Sequence, residues 1–199
     1  SDQNGNVYVS DELNNRINVF SHEGDPIKYW GDPGSSEGEL NGPSGIAFDS
    51  DENLFVADHM NNRIQKFTKD GNHIFSFGDK GRDALNMPWG VFVSGDGFVY
   101  AADWGNDRIV KYDSSGDFIR SFGSRGSRKG QFKNPSGVAV DKDGYIYVTD
   151  WGNERLEILD KNGNFIESLR GQATISKWAD EYFDGNYEEA EPRSRSNLE

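Results

Sequence analysis

The chain has 199 residues, with 21 lysines and arginines against 34 aspartates and glutamates, a net charge of −13. That balance argues against a general nucleic-acid binder, which needs a basic footprint. Cysteine is absent, so neither disulfides nor thiolate metal sites can hold the fold, and no apolar run approaches the roughly 20 residues of a membrane span.

The first copy of a repeated pattern occupies residues 1–40 and enters late, at Asn6-Val7-Tyr8-Val9. The second, 41–87, is the fullest. In it Gly45–Asp49 forms a short apolar strand, Leu54–Asp58 a nearly continuous apolar run suited to burial on both faces, and Arg63–Phe67 an alternating strand. Asp70-Gly71 is a hairpin signal leading into His73–Gly78. The third copy spans 88–134 and the fourth 135–170. Pro43, Pro88 and Pro135 open their strands, where a missing N–H costs nothing. Asp11, Asp58, Asp103 and Asp150 each stand five residues before Arg16, Arg63, Arg108 and Arg155, and a glycine follows each arginine by eight. Such a phase marks a repeat array, and four strands in about 45 residues is the size of one propeller blade. Residues 171–199 break the pattern. Ile175, Trp178, Ala179, Tyr182 and Phe183 fall on one helical face, which predicts an amphipathic helix followed by a polar tail.

The phrase Pro135-Ser136-Gly137-Val138-Ala139-Val140-Asp141, continued by Gly144 to Leu156, closely resembles the NHL repeat. It recurs at Pro43 to Ile64 and at Pro88 to Ile109, and in part at Gly5 to Ile17. The resemblance implies an all-β propeller, most often six-bladed. The chain therefore looks like four blades of a larger propeller, with a small four-blade ring as the runner-up. Open edges on such a segment predict self-association or a larger assembly.

Antiparallel geometry sorts the loops between two faces. The Asp-to-Arg turns share one of them with the inter-blade segments 31–43, 78–88 and 123–135, and function rides on such loops. The Asp/Arg pairs recur in every copy, so they read as framework. Positions where the copies disagree are the candidates for binding: His59, Trp104 and Trp151 after the repeated aspartate, and Trp89 after an opening proline. The tryptophans either pack between blades or form a platform for a sugar or peptide. Arg125, Arg128, Lys129 and Lys133 make the third inter-blade segment locally basic, a place for an anionic partner or RNA. Asp-rich turns such as Asp49–Asn53 read as hairpin turns rather than calcium loops. Some NHL-type propellers are metal-dependent lyases, but His22 and His73 fall on the opposite face, leaving His59 alone there, and a catalytic zinc asks for three ligands. The expectation is a non-catalytic scaffold for a protein, small-molecule or saccharide ligand, with no cofactor and no metal. The alternatives are a fragment of a lyase or lactonase and an RNA-binding module.

Overall fold

A computed structural model describes residues 1–171. The amphipathic helix expected over 171–199 falls, but for Gly171, outside the described residues. Within them the chain is all-β, interrupted only by single 3-10 turns, and no helix there is long and apolar enough to cross a membrane.

Four antiparallel sheets follow one another, each built from consecutive strands. The first has three, Val7–Asp11, Arg16–Phe20 and Pro26–Trp30. The second comprises Pro43–Phe48, Asn53–Asp58, Arg63–Thr68 and His73–Phe77. The third comprises Pro88–Val93, Val99–Asp103, Arg108–Tyr112 and Phe118–Phe122. The fourth comprises Pro135–Val140, Ile146–Asp150, Arg155–Leu159 and Phe165–Leu169. The opening strands of neighbouring sheets pack against each other. The sheets therefore stand as blades around a common axis, with Pro43–Phe48, Pro88–Val93 and Pro135–Val140 innermost, while the first sheet begins at the equivalent of their second strands.

The core lies between blades, in three clusters for four sheets. Leu54 and Val56 join Ile17, Leu40 and Phe67 on one side of the second blade, while Phe55 and Ala57 join Val91, Val99 and Val110 on the other. Successive side chains of a strand point to opposite faces, so a strand sandwiched between two neighbours must be apolar throughout. A third cluster, around Tyr100, Ile109, Phe132, Val148 and Leu159, joins the third and fourth blades.

The repeated hairpin glycine has a packing reason. Gly71, Gly116 and Gly163 hold φ of +91, +85 and +87°, and a Cβ on them would meet Trp30, Phe77 and Phe122 of the preceding blade at 2.5–2.6 Å. Each outer-strand aromatic lies over the next blade's turn, where only glycine fits.

The inter-blade segments are ordered by a buried apolar residue at the same phase in each: Leu40, Leu85 and Phe132. Each one packs against a glycine of positive φ, at Gly31, Gly78 and Gly123. The first segment also forms a short parallel pair between Asp32–Pro33 and Glu39–Leu40, mirrored by an Arg125–Phe132 bridge in the third.

Candidate functional site

The face carrying the Asp-to-Arg turns is assembled by those residues. In the third blade Asp103 is fully buried. Its Oδ1 accepts from the Asn86 N–H at 2.7 Å, and its Oδ2 accepts from Asn106 at 2.9 Å and Arg108 Nε at 2.7 Å. The far end of the guanidinium donates to the carbonyls of Asp83 and Ala84. Aspartate thus pins an amide of the inter-blade segment while arginine pins its carbonyls. The arrangement repeats at Asp58–Arg63 and Asp150–Arg155, whose guanidiniums reach Ser35, Ser36 and Glu39, and Ser127, Arg128 and Gln131. Asp11–Arg16 is a longer, more open version at 3.3 Å. Burial pushes the Asp103 carboxyl up, opposed by the Asn86 amide, Asn106 and Arg108.

A second set of links was not read from the sequence. The residue just before each arginine is left-handed and is not glycine: Asn15, Asn62, Asp107 and Glu154, with φ between 54 and 56°. The first three accept the backbone N–H of Gly42, Met87 and Asn134 at 2.8 Å, the residue that precedes the next blade's proline. Asparagine and aspartate tolerate this conformation best among side-chain-bearing residues. Their recurrence at one phase was the available signal.

Two positions after the arginine, the copies carry Asn18, Gln65, Val110 and Glu157. Gln65 is buried and satisfied, donating to the Glu39 carbonyl and Asp58 and accepting from Gly38 N–H and Ser76. Glu157 is equally buried. It accepts from Gly130 N–H at 3.1 Å, but its other oxygen faces Arg155 at 3.0 Å in an ion pair without hydrogen-bond geometry. Burial holds its carboxyl above the ordinary range, countered by Arg155 and Gly130. A raised folded-state pKa contributes stability below the unfolded value and loses it as pH rises through the folded one. At neutral pH the ionised group is therefore a burden. Glu157→Gln is expected to raise stability at pH 7 by about 1 kcal/mol, the net worth of a typical hydrogen bond. The advantage narrows as pH falls into the carboxylate range. Thermal melts from within the ordinary carboxylate range up to pH 8 check this; a constant or inverted difference over that whole span would contradict it.

The three candidate tryptophans come together. Trp89 is the second residue of an inner strand, while Trp104 and Trp151 open the 3-10 turns of the third and fourth blades. With Ser136 they line one cavity of about 380 Å³. Trp89 is 37% and Trp151 66% exposed. Trp104 is held from behind, its carbonyl accepting from Asn134. His59 does not open into this space. It is buried beneath Trp89, ring centroids 4.8 Å apart and edge to face. Its Nδ1 lies 3.3 Å from the Pro88 carbonyl, an acceptor, which places the proton on that nitrogen.

The basic residues of the third inter-blade segment make different contacts. Arg125 reaches Asp107 at 3.7 Å, Lys129 lies over the Phe165 ring, and Arg128 lends its carbonyl to Arg155. Lys133 lines a neighbouring cavity with Ser136, Glu154 and Trp151. The histidines are scattered: His22 pairs with Glu23 and His73 with Ser76. Among the described residues no three His, Asp or Glu side chains are placed to hold a metal ion.

The NHL repeat model matches residues 40–67 and 132–159. A search of curated protein sequences finds no significant match. Among solved structures the chain is similar to a streptogramin B lyase at 14% identity and TM-score 0.64, over 88% of this chain and 54% of that one. It is similar to a catalytically inactive virginiamycin B lyase from Staphylococcus aureus, solved with quinupristin, at 21% and 0.63, over 86% and 54%. A protein of unknown function from Desulfotomaculum acetoxidans follows at 17% and 0.62, over 84% and 55%. At these identities the likeness is one of fold, and the chain spans about half the length of the structures it matches.

Proposed function

From a chain built of NHL-type propeller blades, we infer a non-catalytic binding scaffold whose ligand occupies the pocket of Trp89, Trp104 and Trp151. The supporting observation is that these three residues are where the copies depart from one another, and that they line one open cavity. The residues common to all copies are engaged in fastening loops to blades. Large aromatic side chains left accessible near one point favour recognition, because they bury much apolar area with little rotamer entropy lost. The lyase activity named for two of the structural neighbours is not carried over, since the identities are 14% and 21%.

The indole N–H signals in a nitrogen-15 spectrum test this reading. A fragment set of small apolar, aromatic and N-methylated compounds should yield binders that shift the Trp89, Trp104 and Trp151 signals and leave Trp30 in place. Trp151→Ala should weaken such binding by about tenfold or more, a hot-spot-sized loss. Its effect on folding should stay within about 0.5 kcal/mol, as for other exposed positions. Binders that shift only the amides of residues 125–133, with salt-sensitive affinity, would overturn it in favour of the basic segment.

A further inference from the structure

We propose that the tryptophan pocket takes a small quaternary ammonium solute, a choline-type cation, an assignment that rests on the binding-scaffold reading above. The pocket is lined by three indole rings and one hydroxyl, with no charged side chain in its wall. That hydroxyl, on Ser136, is already 3.1 Å from Thr149 Oγ1. A sugar, a primary ammonium or a guanidinium would bring several hydrogen-bonding groups into a site with almost nothing to receive them. Each group left unpaired there carries its desolvation cost. An N-methylated ammonium has no N–H to satisfy. It presents a methyl-covered surface that packs like a hydrocarbon and a positive charge that the negative faces of indole rings attract.

The charges around the pocket point the same way. The adjoining cleft, about 320 Å³, shares Trp89 and Ser136 with it, and its single ionisable side chain is Glu12. On the other side the cavity of about 470 Å³ shares Ser136 and Trp151 and holds Lys133, Asp150, Glu154 and Arg155. Asp150 and Arg155 pair with each other at 2.8 Å, and Lys133 and Glu154 balance. Glu12 remains, on a chain of net charge −13. A volume of about 380 Å³ is at the small-molecule end of ligand pockets, which run from about 300 to 1,000 Å³.

The experiment titrates the protein with choline chloride and with its neutral isostere 3,3-dimethylbutan-1-ol, holding ionic strength constant with sodium chloride and reading indole fluorescence and indole N–H shifts. Choline is expected to bind roughly tenfold more tightly than the alcohol, the size of a partly desolvated cation–π contact. Glu12→Gln should weaken choline two- to threefold and leave the alcohol unchanged, whereas Trp151→Ala should weaken both. If the alcohol binds as well as choline at the same indoles, the cation assignment is overturned and the pocket reading stands. If neither saturates, the cation assignment falls, and the fragment spectra decide the pocket separately. A trimethyl-lysine peptide binding more than tenfold tighter than choline would overturn the small-solute assignment.

Discussion

Asp103→Ala is expected to remove about 3–5 kcal/mol of folding stability, the cost of breaking a buried ion pair from one side. The carboxylate is fully buried, and Arg108 is 17% exposed at its side chain. Truncation leaves the guanidinium with only the half-exposed Asp83 carboxylate at 3.7 Å, an orphaned Asn86 N–H, and an Asn106 amide with only the Ala84 carbonyl at 3.2 Å. Losing Asp103 also frees Arg108 to leave the carbonyls of Asp83 and Ala84, so segment 78–88 should loosen as a unit. Chemical denaturation gives the energy, and hydrogen exchange at residues 83–87 gives the local opening. Arg108→Ala should cost a similar amount, and the double variant should cost clearly less than the sum, because both act through one contact. Asp11→Ala is the internal control: its pair with Arg16 is longer and more exposed, so a clearly smaller loss than for Asp103→Ala is expected. A loss below about 1 kcal/mol for Asp103→Ala, with segment 78–88 still protected, would remove the fastening role from the repeated pair.

The parts of this molecule visible in the sequence are those that recur at a fixed phase and carry their chemistry in the side chain. Asp58, Asp103 and Asp150 announced themselves by their distance from an arginine, and Leu54–Asp58 by an apolar run that only a doubly covered strand explains. Leu40, Leu85 and Phe132 recur as well, but as single apolar residues in polar surroundings. A lone apolar residue does not say that its loop folds around it. The Asn15, Asn62 and Asp107 links recur at one phase, but an asparagine or aspartate before an arginine does not say that it is left-handed or which amide it accepts. The tryptophans were legible as departures from the repeat. That three of them share one cavity depends on how far apart the blades stand, which no periodicity encodes. His59 shows the reverse: its singularity suggested a ligand, and the packing placed it under Trp89.

Gly45→Ala is expected to cost about 3 kcal/mol, the upper end for overpacking a close contact. The inner strands begin Pro-Ser-Gly, Pro-Trp-Gly and Pro-Ser-Gly, and each ladder shifts register just after its proline. That irregularity lets neighbouring inner strands approach backbone to backbone. A Cβ on Gly45 would lie 2.6 Å from the Trp89 carbonyl, 2.7 Å from Val91 N and 2.8 Å from Gly90 Cα. All three are main-chain atoms, so no side-chain rotation relieves the clash and one blade must move against another. Gly90→Ala repeats the test one blade on, against the Ser136 carbonyl at 2.7 Å. Gly95→Ala supplies the contrast: nothing lies within 4 Å of its Cβ position and its φ is not positive, so a change within about 0.5 kcal/mol is expected. Because the Gly45 clash falls on the backbone of Trp89, the same substitution should shift the Trp89 indole signal and weaken any ligand held there, although Gly45 lies outside the pocket's wall. A Gly45→Ala protein as stable as the parent, with Trp89 unmoved, would mean that the blades have slack at the axis, and the tryptophan cavity would then not be held at a fixed width by the inner strands.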